Sequence, residues 1–117
     1  MLLNDCYNAN PVSMRAALEH LTTRAAGRRR VAVLGEMAEL GPGAASYHRE
    51  VGALVRELGI EEVIAVGELA RDYGGAWVAG ADEAASRLLA DLRPGDVVLV
   101  KGSRSVGLEV VAEKVGI

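Results

Sequence analysis

Short, unbroken apolar runs recur along this chain: Leu2-Leu3, Val31-Ala32-Val33-Leu34, Val63-Ile64-Ala65-Val66, Trp77-Val78-Ala79 and Val97-Val98-Leu99-Val100. A strand with one wet face alternates apolar and polar residues; a continuous run means that both faces are covered. Between the runs lie stretches with helical spacing. From Pro11 to Ala26, the residues Met14, Ala17, Leu18, Leu21 and Ala25 share a face, and Gly27 closes the end. A second helix ends at Leu58, with Tyr47, Val51, Leu54, Val55 and Leu58 inward, and Gly59 stops it. A short helical piece near Glu68–Tyr73 runs into Gly74-Gly75. Asp82 is placed to cap a third helix with Ala85, Leu88, Leu89 and Leu92 as its stripe. A last helix spans about Ser105 to Val115, with Leu108, Val111, Ala112 and Val115 inward. Strand and helix alternate throughout. The expected architecture is α/β: a three-layer sandwich of a mostly parallel sheet with helices on both faces and right-handed crossovers.

The 117 residues suit a single domain, 1–117, with a core of its own. Half of them are hydrophobic, yet Phe is absent and aromatics make up 3%, so that core must be aliphatic. A net charge of −3 with interspersed signs argues against nucleic-acid binding. The cluster Arg28-Arg29-Arg30 is expected at a helix C-terminus, where cations complement the dipole. No apolar run approaches the roughly 20 residues of a membrane span, so no membrane insertion is expected. The single cysteine, Cys6, permits no internal disulfide and fits a reducing cytoplasm. With no base evident beside it, Cys6 reads as a small buried thiol and not a nucleophile. The chain opens inside a strand, which suggests a piece of something longer.

Three polar segments follow strand ends, the edge at which open α/β sheets bind ligands. The first is Asn4-Asp5-Cys6-Tyr7-Asn8-Ala9-Asn10-Pro11. Asn10 suits a helix N-cap and Pro11 the first helical position; the plainer reading of this loop is a capped turn whose polar residues serve only themselves. The second, Gly35–Gly43, approximates Gly-x-Gly-x-x-Gly at its end. Its glycines, however, come several residues too late after the strand for a pyrophosphate turn. His48 lies one helical step off the apolar stripe. The third, Lys101-Gly102-Ser103-Arg104-Ser105, gathers two cations, hydroxyls and free N–H groups where a helix is expected to begin, which makes an anion site. It is not a Walker A loop, because the preceding glycine framework is missing. The alternative is that these side chains only cap the helix and pair with Glu109 or Glu113.

The run Asn-Asp-x-Tyr-Asn-Ala-Asn-Pro-x-Ser-Met resembles the opening motif of the C-terminal domain of Mur ligases. Leu34-Gly35-Glu36-Met37-Ala38-Glu39-Leu40-Gly41, with His48 beyond it, and Val98–Ser105, with Glu109, support the resemblance over nearly the whole chain. Within the family the chain is most similar to the branch that attaches D-alanyl-D-alanine to the UDP-N-acetylmuramoyl-tripeptide of peptidoglycan precursors.

The resemblance implies a Rossmann-like fold, an added antiparallel strand, and an ATP-dependent carboxylate–amine ligase that works through an acyl phosphate. It implies that Asp5 meets the ribose hydroxyls of ATP. Related ligases carry a histidine against adenine where this chain has Asn8-Ala9-Asn10; Tyr7 and Asn8 are the candidates to replace it. It turns Lys101, Gly102, Ser103 and Arg104 towards the dipeptide carboxylate. It also turns Glu36 and Glu39 to the interdomain cleft, with His48 as a further candidate there.

ATP and Mg²⁺ are implied for the full-length enzyme only. This chain has neither a Gly-x-x-x-x-Gly-Lys-Ser/Thr loop nor a His/carboxylate cluster spaced for a metal, so no catalytic or metal residue is expected in it, nor ATP bound by the fragment alone. The implied partners are a central ATPase domain and an N-terminal uridine-nucleotide domain. The rival reading is a stand-alone nucleotide-binding regulatory or interaction domain with the same fold.

Overall fold

A computed structural model describes residues 1–5, 9–102 and 107–115. Strands β1 (Leu2–Asp5), β2 (Arg30–Gly35), β3 (Glu62–Val66), β4 (Ala76–Val78) and β5 (Val97–Lys101) form one sheet in the order β1-β5-β2-β3-β4. Every pairing is parallel. The antiparallel strand implied by the resemblance is not among the described residues.

Helices α1 (Pro11–Ala25) and α2 (Ala44–Leu58) pack on one face; α3 (Ala81–Asp91) and α4 (Glu109–Val115) pack on the other. The odd-numbered Val97 and Leu99 of β5 join Met14, Leu18, Leu21, Leu54 and Val55 in one cluster. Val98 and Val100 join Ala84, Leu88, Leu108 and Val111 in the other. Two separate aliphatic cores are therefore the reason the strand sequences are continuous and not alternating.

The capped start of α1 is as the sequence suggests. Asn10 Oδ1 accepts from the Ser13 N–H at 2.9 Å, and Ser13 Oγ accepts from the Asn10 N–H at 3.0 Å, with Pro11 in the first turn. Gly59 and Gly74 end their segments with positive φ. Four expectations need correction. Tyr47 is 40% exposed and Leu89 52% exposed, because each lies at the margin of its helix's apolar arc and not at its centre. Gly80, not Asp82, holds the N-cap of α3; Asp82 sits in the first turn and pairs with Lys114 of α4 at 2.7 Å. The last helix starts at Glu109, not Ser105, after Gly107 at φ +70° interrupts the path into it.

The three arginines do more than close one helix. Arg28 Nε donates to Ala25 O at the end of α1, and Arg29 Nη2 donates to Asp91 O at the end of α3. Arg30 donates to Leu58 O at 2.9 Å and to Gly59 O at 2.6 Å at the end of α2. Orphan carbonyls of three helices are met by three consecutive residues at the edge where β2 begins.

Candidate functional site

In this strand order β5 is inserted between β1 and β2. The loops after β1 and β2 lead to helices on one face, whereas β5 leads to a helix on the other. Adjacent strands whose exits diverge open a crevice at their C-terminal ends, the switch point of a doubly wound sheet. Register sets Asp5 of β1 beside Lys101 of β5, and Lys101 beside Leu34 of β2. Segments about thirty and a hundred residues apart in sequence thus meet at one edge.

Of the adenosine candidates, the backbone of Asp5 ends β1 at that edge, while Tyr7 and Asn8 lie outside the described residues, as do Cys6, Ser103, Arg104 and Ser105. Lys101 is the last residue of β5 and is only 1% exposed. That differs from a lysine on an open loop. It follows Val97 and Leu99 on the face roofed by α1, so the strand's alternation carries it inward. Gly102 is buried as well: a Cβ there would stand 2.9 Å from Gly35 Cα and 2.6 Å from Leu108 Cδ1, so the paths leaving β5 and β2 touch backbone to backbone. The helix that follows this segment, α4, opens only at Glu109.

The segment after β2 is held from beneath. Tyr73, buried at the end of the 3₁₀ segment Glu68–Tyr73, donates its hydroxyl to Gly35 O at 2.9 Å. Burial, with the nearby Glu36 carboxylate adding to it, pushes the Tyr73 phenol far above its ordinary pKa. Glu36 is half-buried; its N–H donates to Val66 O and its Oε2 accepts from the Leu69 N–H at 3.0 Å, capping the 3₁₀ segment. His48 is fully buried, not facing a cleft, because its ring turns under the loop: Nε2 accepts from the Met37 N–H at 2.9 Å and Nδ1 meets Ala44 O at 2.6 Å. It stacks at a tilt on Tyr73, with centroids 5.2 Å apart. Of the three residues expected at the cleft, only Glu39 is exposed, and its backbone lies at φ +60°. A non-glycine residue in that region is held there by its surroundings.

Sequence reading missed Tyr73 as part of this assembly. Its only mark was a tyrosine at the end of a helical piece in a chain almost without aromatics. Among the described residues no three His, Cys, Asp or Glu side chains gather to hold a metal ion, and no helix is long and apolar enough to cross a membrane.

Comparison with known proteins agrees with the architecture. The chain is 42% identical to a UDP-N-acetylmuramoyl-tripeptide–D-alanyl-D-alanine ligase of Mycobacterium bovis, over 96% of this chain and 28% of that protein. It superposes on the MurF ligase of Thermotoga maritima, solved in complex with ADP, with a TM-score of 0.83 and 30% identity, covering 97% of this chain and 28% of that one. MurF of Acinetobacter baumannii gives a TM-score of 0.82 at 28% identity, covering 94% and 26%. The chain thus spans little more than a quarter of the length of these relatives. The family model described as "Mur ligase, glutamate ligase domain" matches residues 1–104, and the chain belongs to the Mur ligase C-terminal domain family.

Proposed function

We propose that this domain is the C-terminal part of an ATP-dependent ligase that joins D-alanyl-D-alanine to the UDP-N-acetylmuramoyl-tripeptide in the cytoplasm. The observation that carries the reading is the insertion of β5 between β1 and β2, which sets the C-terminal ends of the three strands side by side at a single switch point. The names of the relatives supply the substrate. In this reading Asp5, Tyr7 and Asn8 hold the adenosine end of ATP, the carboxylate of Asp5 accepting from ribose hydroxyls. Lys101, Gly102, Ser103 and Arg104 take the dipeptide carboxylate, Lys101 from its buried place at the end of β5. ATP supplies the phosphoryl group that activates a carboxylate for attack by the dipeptide amine. Its phosphates and Mg²⁺ are assigned to a central domain, the uridine nucleotide to an N-terminal one. Closure of this domain on the central one excludes water from the activated acyl group.

The test is a comparison of substrates in the longer enzyme. Asp5→Ala is expected to raise KM for ATP while KM for D-alanyl-D-alanine changes little. A variant that loses dipeptide affinity and keeps ATP affinity would reverse the two assignments. An enzyme that ligates no D-alanyl-D-alanine at all would remove the reading.

A further inference from the structure

His48 makes two buried polar contacts, and together they fix its chemical form. The Met37 N–H can only donate, so Nε2 must be bare; the Ala44 carbonyl can only accept, so Nδ1 must carry the hydrogen. The ring is thus a single tautomer that ties the first turn of α2 to the second residue beyond β2. Met37 itself is fully buried, which leaves its amide no water to turn to. Tyr73 packs on the same ring and holds Gly35 O, so His48, Met37, Tyr73 and Gly35 form one closed unit under the loop. Above it the loop carries the exposed Glu39 in its left-handed conformation.

We infer that His48 is a positioning residue: in its Nδ1–H form it sets the β2–α2 loop through the Met37 amide, and through Gly35 it sets the backbone at Gly102. The inference rests on the function proposed above, and the sheet order gives it a direction. The β2–α2 loop adjoins the exit of β5, with Gly102 against Gly35, whereas β1 lies on the far side of β5. A loosened loop therefore disturbs the side assigned to the dipeptide and leaves the adenosine side in place.

Two variants separate the loop-setting acceptor from mere filling of space. In His48→Gln the amide oxygen reaches the place of Nε2 and can still accept from Met37. In His48→Asn the shorter amide reaches only the Nδ1 place, next to Ala44. In the longer enzyme, His48→Asn is expected to raise KM for D-alanyl-D-alanine by roughly tenfold or more, with KM for ATP unchanged within about twofold, and His48→Gln to restore most of the loss. Equal behaviour of the two variants, or an unchanged dipeptide KM in His48→Asn, would overturn the inference.

The 117-residue chain gives a reading independent of ligation. Nitrogen-15 shifts of the His48 ring should report a protonated Nδ1 and a bare Nε2, and the Met37 amide should exchange slowly in the parent and in His48→Gln but quickly in His48→Asn. A ring protonated at Nε2, or a Met37 amide that exchanges alike in all three, overturns it even where the enzyme is active. If the spectra agree while the longer enzyme ligates no D-alanyl-D-alanine, the loop-setting role stands and only the proposed function falls.

Discussion

The two ends of this sheet use polar side chains in opposite ways. At the end where the strands begin, Arg28, Arg29 and Arg30 each reach a helix C-terminus, Arg29 also lies 3.3 Å from Asp96, and Arg30 pairs with Glu61 at 2.8 Å. These groups satisfy carbonyls and carboxylates of the fold itself. At the end where the strands finish, buried polar groups hold loops in place: Tyr73 and His48 fix the path after β2, and Lys101 lies beneath the exit of β5. One end closes the domain, and the other fixes the backbone where β2 and β5 leave the sheet. Polarity in a sequence is therefore not a pointer to function until the edge it belongs to is known.

The sharpest contrast comes from removing one cation at each end. Lys101→Met keeps the length of the stem and deletes the charge. In the longer enzyme it is expected to lower kcat/KM for D-alanyl-D-alanine by roughly ten- to a hundredfold, the range of a lost charge-assisted interaction, with ATP affinity little changed. Thermal unfolding of the same variant separates that effect from simple loss of structure. At the opposite end Arg30→Ala should destabilise the domain by about 1–3 kcal/mol, because two helix-end carbonyls and Glu61 lose their donor, and should leave steady-state constants alone. If Arg30→Ala changed dipeptide KM at full folding, the division between the two ends would fail.

Smaller effects refine the comparison. Tyr73→Phe leaves Gly35 O without its donor and should cost about 1–2 kcal/mol in denaturant unfolding. Its pKa is raised in the folded state, so the parent's stability should decline at alkaline pH, above the ordinary tyrosine value of about 10, and the decline should be weaker in Tyr73→Phe. Glu61→Gln is the smallest. Partial burial works to raise the Glu61 pKa, but its bonds from Arg30 outweigh that and hold the carboxyl below its usual range. A lowered folded-state pKa contributes stability that is present above the ordinary carboxylate value and is lost as pH falls through the folded one. Glu61 is 44% exposed, so the difference between parent and Glu61→Gln should be under about 1 kcal/mol at neutral pH, shrink in salt and vanish in acid.

The sequence by itself determined the elements and their class. Continuous Val/Ile/Leu runs can be stable only with both faces covered, and helices between them require parallel crossovers. The Asn10–Ser13 cap and the stops at Gly59 and Gly74 are local chemistry and were legible for that reason. So were the three motifs of the Mur ligase pattern, which need only their order along the chain.

What the tertiary structure alone decided is which polar side chains are inside. Lys101 reads as the start of a polar loop, yet it is the last inward position of β5, and the roof over it comes from a helix some ninety residues earlier. His48 reads as a surface residue beside an apolar stripe, and its partners Met37 and Tyr73 come from two other segments. Three adjacent arginines read as one cap and serve three helices, because the start of β2 is where those helices converge. In each case the residue's environment is supplied by chain distant in sequence. No local pattern encodes it until the order of the strands is known.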